Sequence, residues 1–499
     1  MDIVSNLMVG FGAAVSLQNL LFCLIGCLLG TLIGVLPGIG PVATIAMLLP
    51  VTYGLSPLAA LIMLAGIYYG AQYGGSTTSI LVNMPGEISS VVTCLDGHQM
   101  ALQGRAGPAL AISALGSFFA GCVGTLVVCG FAPVLATFSQ KFTSVEYFSL
   151  MVLGLLSAVV LAHSSLIKAI AMIFLGLLIG LAGTDVESGI ARYNFGVSEL
   201  FDGIGLLPVA MGLFGINEVM LNLERPAERH FLNSKIKNLW LSRQDFRDSW
   251  RAVLRGTGLG SILGILPGAG AVLASFASYT VEKKMAKDPS RFGKGAIEGV
   301  AGPESANNAA AQTSFIPLLT LGLPCNVVMA VMMGAMMIQG IAPGSAVIDK
   351  RPDLFWGMVA SMWIGNGMLL VINLPLIGIW VRLLRVPYRL LSPCILVFCL
   401  IGIYTVNNST TDVFLTAFFA VFGYVLYKFG CEPAPLILGF VLGPLMEENF
   451  RRSMVLSRGD PMIFIYRPIS LVLLLMAVSV LAIVVLPQVR KTREVAFQE

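Results

Sequence analysis

Runs of about twenty apolar residues constrain this chain most, because a helix of that length spans a lipid bilayer. The nearly uncharged runs include Leu17–Val35, Leu110–Leu135, Phe148–Ala162, Ala169–Leu181, Phe355–Leu376 and Ile469–Leu486. Only 11% of the 499 residues are charged, whereas a soluble domain carries roughly 25%. A membrane barrel would show alternating segments of about ten residues instead. We therefore predict an all-α polytopic membrane protein with about 12 transmembrane or re-entrant helices.

The densest basic stretch divides the chain near its middle. Eight Lys and Arg residues lie between positions 225 and 255, and by the positive-inside rule this stretch is cytoplasmic. We predict a first transmembrane repeat at 1–224, a basic connector at 225–255, a second repeat at 256–486 and a cytoplasmic tail at 487–499. The net charge of +4 is too small to indicate nucleic acid as a partner.

An internal repeat relates the two halves of the chain. Gly30-TLIGVLPGI-Gly40 matches Gly260-SILGILPGA-Gly270. Two further matches follow in the same order: Pro85-Gly86 with Pro324-Cys325, and Gln103-Gly104 with Gln339-Gly340. A single such match is compatible with chance in low-complexity membrane sequence. Three in order indicate two homologous repeats, which secondary transporters often arrange in inverted topology.

The LPGxG motifs are predicted to form the tips of re-entrant hairpins. The connector and a second basic stretch at 283–294 both favour the cytoplasmic side, yet only about 25 residues separate them, too few for two crossings. Proline and glycine break a helix, and such breaks survive in a membrane only where they are buried or line a cavity. The predicted tip residues are Pro37, Gly38, Gly40, Pro267, Gly268 and Gly270, with Pro85 and Pro324 at two further breaks.

Two polar clusters occupy matching places in the halves. The first holds Ser76, Thr77, Thr78, Ser79 and Asn83, and the second holds Asn307, Asn308, Gln312, Thr313 and Ser314. Hydroxyls, amides and freed backbone groups beside glycines suit a carboxylate or a sodium ion. The alternative is close helix packing, with each hydroxyl bonding back to its own helix. We predict that both clusters bind substrate.

Ionisable residues in apolar surroundings are candidates for function. Glu304 opens the second cluster, and is either an ion-coupling group or a helix cap. Glu298 is expected to cap or face solvent, while Asp96 and His98, near Arg105, favour a loop or an interface. The run at 447–452 is expected to be a solvated helix end, and 407–411 a turn. His163 and His230 have no supporting ligand set for a metal.

Catalytic motifs are absent from the sequence. No GxxxxGK[ST], HExxH or GxSxG is present, so the chain is predicted not to be an enzyme. No cofactor is predicted apart from a bound sodium ion near the same loops, with ligands that the sequence leaves open.

The motifs resemble those of the large membrane subunit (TctA) of the tripartite tricarboxylate transporters. The resemblance rests on Gly30–Pro41, Tyr68–Glu87, the GILPGAGA motif, residues 299–324 and Asp202–Val219. It implies two partners, a small transmembrane TctB-like subunit and a periplasmic TctC-like solute-binding protein. It also implies uptake of citrate or other organic anions, driven by sodium or protons, across a bacterial inner membrane.

The expected mechanism places a substrate carboxylate between the two clusters near mid-membrane, with sodium beside it to offset the cost of burying the anion. Alternating access then requires one element to move against a scaffold. A channel, or an ion-coupled carrier that works without a binding protein, is the alternative. A membrane-embedded enzyme has no visible catalytic pair.

Overall fold

The computed structural model describes residues 3–36, 40–161, 165–185, 188–224, 239–266, 270–384 and 388–485. These residues form helices almost throughout, with one antiparallel two-stranded sheet. The predicted tip residues Pro37, Gly38, Pro267 and Gly268 lie outside the described residues, as do His163, His230 and the tail 487–499.

The first half of the chain contains eleven α-helices and the small sheet among its described residues. The helices are α1 (Ile3–Ala14), α2 (Leu17–Val35), α3 (Pro41–Thr52), α4 (Pro57–Val82), α5 (Val91–Thr93), α6 (Gln99–Leu102), α7 (Ala106–Ser139), α8 (Ser144–Leu161), α9 (Leu166–Gly180), α10 (Leu206–Ala210) and α11 (Asn217–Glu224). Short 3-10 turns lie at Ile88–Ser90 and Ser198–Asp202, and π-helical turns lie at Cys94–His98 and Met211–Ile216. The strands are β1 (Gly183–Thr184) and β2 (Ala191–Arg192).

The second half contains thirteen α-helices in its described residues. They are α12 (Arg243–Ile265), α13 (Gly270–Met285), α14 (Glu298–Thr313), α15 (Phe315–Leu321), α16 (Val327–Ile338), α17 (Ala346–Lys350), α18 (Pro352–Asn373), α19 (Ile377–Leu383), α20 (Tyr388–Asn407), α21 (Thr410–Lys428), α22 (Pro433–Leu456), α23 (Ile463–Tyr466) and α24 (Pro468–Val485), with a 3-10 turn at Pro289–Arg291. α12 begins inside the predicted connector 225–255. The predicted turn at 407–411 is confirmed between α20 and α21.

The helices confirm an all-α membrane protein. Within the described residues, five helices are long and apolar enough to cross a bilayer: Leu17–Val35, Ala106–Ser139, Leu206–Glu224, Pro352–Asn373 and Thr410–Lys428. Seven shorter apolar helices accompany them. α4 and α14 are buried almost throughout although they carry the polar clusters. Apart from Asn83, the polar clusters therefore lie inside a helical bundle and not on its surface.

Glycines set the packing of the most buried helices. On α2, Cβ atoms built on Gly26, Gly30 and Gly34 would come within 2.5 Å of backbone carbonyl oxygens of α4. The equivalent series on α12 is Gly256, Gly260 and Gly264, which meets carbonyls of α14 in the same way. Only glycine permits such an approach, as in the small-xxx-small contacts of membrane helices. We call the assembly of α1–α7 with α12–α18 the core body.

The remaining helices form a second unit beside the core. α8, α9, α22 and α24 share one hydrophobic cluster, while α9, α10, α21 and α22 share another. We call α8–α11 with α20–α24 the peripheral body. The core and peripheral bodies meet mainly through α3 and α16, which pack against α20, α10, α22 and the Met211–Ile216 turn.

Charged residues tie the small sheet to the end of α22. Arg192 donates two hydrogen bonds to the carboxylate of Glu447, at 2.8 and 3.1 Å, and Arg451 contacts both Glu447 and Asp185. The bonds from Arg192 hold the pKa of Glu447 below its usual range. The run at 447–452 was predicted to be a solvated helix end. Glu447 and Arg451 are instead half-buried and joined to the loop before α10, whereas the side chains of Glu448 and Arg452, which pair with each other, are more exposed.

Candidate functional site

Two helix breaks define the centre of the core body. α4 ends at Asn83 and α15 ends at Gly322, both in the left-handed conformation, with φ of 58° and 67°. A proline follows two residues later in each half, and a new helical segment then begins at Glu87 or Asn326 as its N-cap. Each break therefore exposes free backbone groups within the apolar bundle.

The arms of the predicted hairpins end next to these breaks. A Cβ on Gly86 would lie 1.9 Å from the carbonyl oxygen of Gly34, and Thr78 Oγ1 donates to the Val35 carbonyl at 2.8 Å. In the second half, a Cβ on Gly270 would lie 3.5 Å from Asn326 Cβ. Gly34 and Val35, just before the first LPGxG motif, and Gly270, the last residue of the second, therefore lie beside the helix breaks after α4 and α15.

α12 and α13 run as two arms of one hairpin. Arg255 on α12 donates to the carboxylate of Glu282 on α13, with Nε 2.7 Å from Oε1. Arg255 lies only ten residues before Ile265, a helical rise of roughly 15 Å, about half of the hydrocarbon core. From the ion pair to Ile265 the arm is too short for a full crossing, and the re-entrant hairpin stays a prediction.

Glu304 lies at the heart of the polar cluster between the halves. Its side chain is fully buried, and it accepts hydrogen bonds from Ser76 Oγ at 2.5 Å and from Thr93 Oγ1. Asn307 and Ser113 also lie within reach of the carboxyl group. Among the described residues no Lys, Arg or His pairs with it. The alternative role as a helix cap is wrong, because α14 begins at Glu298, six residues earlier.

An amide network continues from Glu304 across the interface. Asn308 Nδ2 lies 2.6 Å from Asn307 Oδ1 and 2.8 Å from Ser117 Oγ on α7. Asn307 Nδ2 in turn approaches Ser89 Oγ at 3.4 Å, and Ser89 donates to Gln72 Oε1 at 2.7 Å. Both asparagines are at most 2% exposed. The network thus joins α14 to α4, to α7 and to the segment after the first break.

The other predicted site residues divide into three groups. Ser79 donates to Ser90 Oγ and to the carbonyl of Gly75 on its own helix, both at 3.0 Å, and Thr77 is buried on the same helix. Thr313 and Ser314 bond back to carbonyls of their own helix, as the packing alternative expects. The remaining two are Gln312, whose buried Oε1 has no partner in the described structure, and Asn83, which is exposed at the end of α4.

Sequence reasoning missed several members of the cluster. Gln72, Ser89, Thr93, Ser117 and Tyr68 all line it, and Tyr68 lies close to both Ser314 and Asn326. Gln72 and Tyr68 stand inside the quoted motif around the first cluster, and Ser89 and Thr93 follow Glu87 directly. Only Ser117 lies in an apolar stretch, in α7, where no neighbouring motif marks it as a candidate site residue.

The two breaks differ in charge. Glu87 caps the segment after the first break through its own carboxylate, which accepts from Ser89 N at 3.1 Å. The equivalent residue after the second break is Asn326, which is neutral and caps α16 by accepting from Met329 N at 2.9 Å. The first break therefore carries an acidic cap and the second a neutral one.

Asp96 links the first half of the chain to the second, next to the basic stretch at 283–294. Its fully buried carboxylate accepts from the backbone N–H groups of Gly295 and Ala296, both at 2.8 Å, and from the Tyr279 hydroxyl at 2.9 Å. The expected loop is instead a π-helical turn, Cys94–His98. Arg105, which was expected to be its neighbour, pairs with Asp245 at 2.5 Å. The predicted interface role is correct.

Replacing Asp96 by alanine is expected to lower stability by about 2–3 kcal/mol, because two buried N–H groups and a hydroxyl lose their acceptor. Asp96→Asn is expected to cost much less, since its amide oxygen still accepts from both N–H groups and its NH2 donates to the Tyr279 oxygen. Thermal unfolding in detergent, followed by size-exclusion chromatography, measures both. Asp353→Ala, at an exposed position, is the control, and equal losses for both Asp96 variants would show that the charge itself matters.

The comparisons with known proteins agree with this architecture. The model of the Tripartite tricarboxylate transporter TctA family matches residues 20–438. The chain belongs to this family, which is a family of transporters. A 52.8 kDa uncharacterized protein of Agrobacterium vitis, from the TAR-I ttuC' 3' region, is 57% identical over 100% of this chain and 99% of its own length. A second protein of that organism, from the TAR-II ttuC' 3' region, is 58% identical over 48% of this chain and 99% of its own length. No solved structure matches the chain significantly.

Proposed function

We propose that this chain is the large membrane subunit of a binding-protein-dependent secondary transporter, which carries organic anions across the bacterial inner membrane. A small TctB-like membrane subunit and a periplasmic TctC-like binding protein complete the system. Membership of the TctA family supports this assignment. The two matched hairpins and breaks support transport by two inverted repeats rather than a channel.

The observation that carries the mechanism is the environment of Glu304. A fully buried carboxylate without a basic partner costs several kcal/mol unless a proton or a metal cation neutralises it. The hydroxyls of Ser76 and Thr93 supply neutral oxygens of the kind that a sodium ion needs, and the carboxylate of Glu304 itself accepts either sodium or a proton. Glu304 is therefore the coupling group of the proposed transporter, with sodium or a proton as its ion.

Electrostatics then links the ion to the substrate. An organic anion that enters beside Glu304 and Glu87 meets two acidic groups, and it binds only after the coupling ion has neutralised Glu304. The Nδ2 groups of Asn307 and Asn308 now donate to Ser89 and Ser117, and a substrate carboxylate would take the place of these acceptors. Ion and anion thus bind with positive cooperativity, as symport requires.

Asn307→Ala and Thr78→Ala are each expected to raise the half-saturating substrate concentration about tenfold, the value of one hydrogen bond at about 1.4 kcal/mol. Asn307 loses a donor to substrate, and Thr78 releases the first hairpin arm at Val35. The measurement is uptake of labelled organic acids into proteoliposomes with both partner proteins, with and without a sodium gradient.

Thr320→Val is the matched control, because Thr320 is buried on α15 and bonds back to its own helix at Ile316. Unchanged uptake at limiting sodium in both site variants would contradict the proposed site. Full uptake without the binding protein would support instead a carrier that works alone.

A further inference from the structure

The peripheral body packs against one end of the core body, through α3 and α16. A Cβ on Gly402 of α20 would lie 3.2 Å from the Pro50 ring of α3, and a Cβ on Gly334 of α16 would lie 2.3 Å from Leu206 of α10. α3 also packs against the Met211–Ile216 turn, and α16 against α22. Both elements lead away from the tips and breaks towards one side of the protein.

In the part of the chain that the structure describes, the counterparts of α3 and α16 have no such covering. An offset of 230 residues relates α3 to α13, and the order of the motifs relates α16 to the segment 88–102. α13 packs against α12, α14 and the turn Ile88–Ser90, all of which belong to the core body. Within the described residues, neither α13 nor segment 88–102 makes comparable packing with a peripheral helix.

The peripheral body is itself built from two matching pairs of helices. Gly176 on α9 faces Leu436 and Phe440 of α22, while Gly423 on α21 faces Leu213 and Asn217 of the helix Leu206–Glu224. In the same way Gly439 of α22 packs against α9, and Gly212 of the helix Leu206–Glu224 packs against α21. α8 precedes α9 as α20 precedes α21, so α8 occupies the position in its half that α20 occupies in the other.

We propose that α13 and segment 88–102 form a second docking face for the peripheral body, which the core body uses in its other transport conformation. In that conformation α8 packs on α13 as α20 now packs on α3. The inference rests on the proposed transport function and on the proposed inverted repeats. Alternation between two equivalent faces gives two states of similar free energy, as a reversible carrier requires.

The outward face of α13 suits an apolar partner. The positions that match the contact residues Ala43, Met47 and Pro50 of α3 are Leu273, Ala277 and Thr280. Leu273 and Ala277 are partly exposed, Thr280 is exposed, and none carries a charge. A helix that docks there buries no charged side chain of α13, so docking has no desolvation cost from an ion. Lys283 and Lys284 come only at the end of the helix.

Paired cysteines test the second face. Gly154 in the Leu-Gly-Leu segment of α8 matches Gly402 in the Ile-Gly-Ile segment of α20. We expect Thr280→Cys with Gly154→Cys to cross-link during transport and to arrest uptake, in a chain whose nine native cysteines are replaced. Pro50→Cys with Gly402→Cys should trap the conformation described above. Both pairs are scored in proteoliposomes that contain the partner proteins.

The matched control pairs Thr280→Cys with Val152→Cys, which lies about 200° around α8 from position 154 and should cross-link at least about tenfold more slowly. A benzoylphenylalanine at position 280, with the adduct mapped by mass spectrometry, gives the same answer without a glycine substitution. Uptake by the parent chain without any 280–154 product or α8 adduct would overturn the inference and leave the proposed function standing. Absence of organic-anion uptake in the parent would overturn the proposed function, while a 280–154 product would still support two faces.

Discussion

Glu304→Gln is expected to abolish concentrative uptake while leaving substrate exchange across the membrane. Glutamine keeps the shape of the side chain and its contacts with Ser76 and Thr93, but it neither releases a proton nor compensates a cation. At a membrane potential of 100 mV, inside negative, one coupled cation contributes about 2.3 kcal/mol, which raises the equilibrium ratio of internal to external substrate roughly fifty-fold over uncoupled uptake. The variant should lose this contribution, and at zero membrane potential the internal and external substrate concentrations should become equal.

Two measurements separate lost coupling from lost folding. Counterflow exchange in proteoliposomes should persist in Glu304→Gln, because substrate binding no longer waits for the ion. Glu304→Asp keeps the charge on a shorter side chain and should retain part of the concentrative uptake. Glu298→Gln is the matched control, since Glu298 lies on the same helix but pairs with Arg291 at the exposed end. Full concentrative uptake in Glu304→Gln would remove Glu304 from the coupling step.

Much of this site could be predicted from the sequence, because the apolar bundle makes each polar residue conspicuous. Asn307, Asn308, Ser76 and Glu304 stood out as polar residues among apolar ones, and the structure brings all four together. The prediction was weaker for Thr313, because a buried hydroxyl bonds equally well to its own helix or to a neighbour, and nothing in a linear pattern distinguishes the two.

Contacts between residues far apart in the chain could not be predicted from the sequence, for a different reason. Asp96 looked like a loop residue beside Arg105, but its partners stand about 200 residues later, at Gly295 and Ala296. The division into core and peripheral bodies was also invisible, since both bodies take helices from both halves. Periodicity reports which residues face an apolar environment, but it does not report which helix provides that environment.

Gly260→Ala is expected to destabilise the protein by about 3 kcal/mol, the upper end of the range for overpacking. A Cβ at this position would lie 2.1 Å from the carbonyl oxygen of Ala306, so the backbones of α12 and α14 must separate. Separation moves α14, which carries Glu304 and Asn307, away from the partners that hold the site together. Transport should therefore fall along with the thermal stability.

Gly258→Ala gives an unusually close control, because it lies two residues away on the same helix and a Cβ there would contact nothing within 4 Å. Alanine has the higher helix propensity, so this variant should gain up to about 1 kcal/mol. Gly30→Ala, which meets the Ile67 carbonyl at 2.3 Å, should match Gly260→Ala if the two halves are built alike. Size-exclusion profiles after heating rank the three variants by thermal stability. Equal stability of Gly260→Ala and Gly258→Ala would contradict the close packing of α12 on α14.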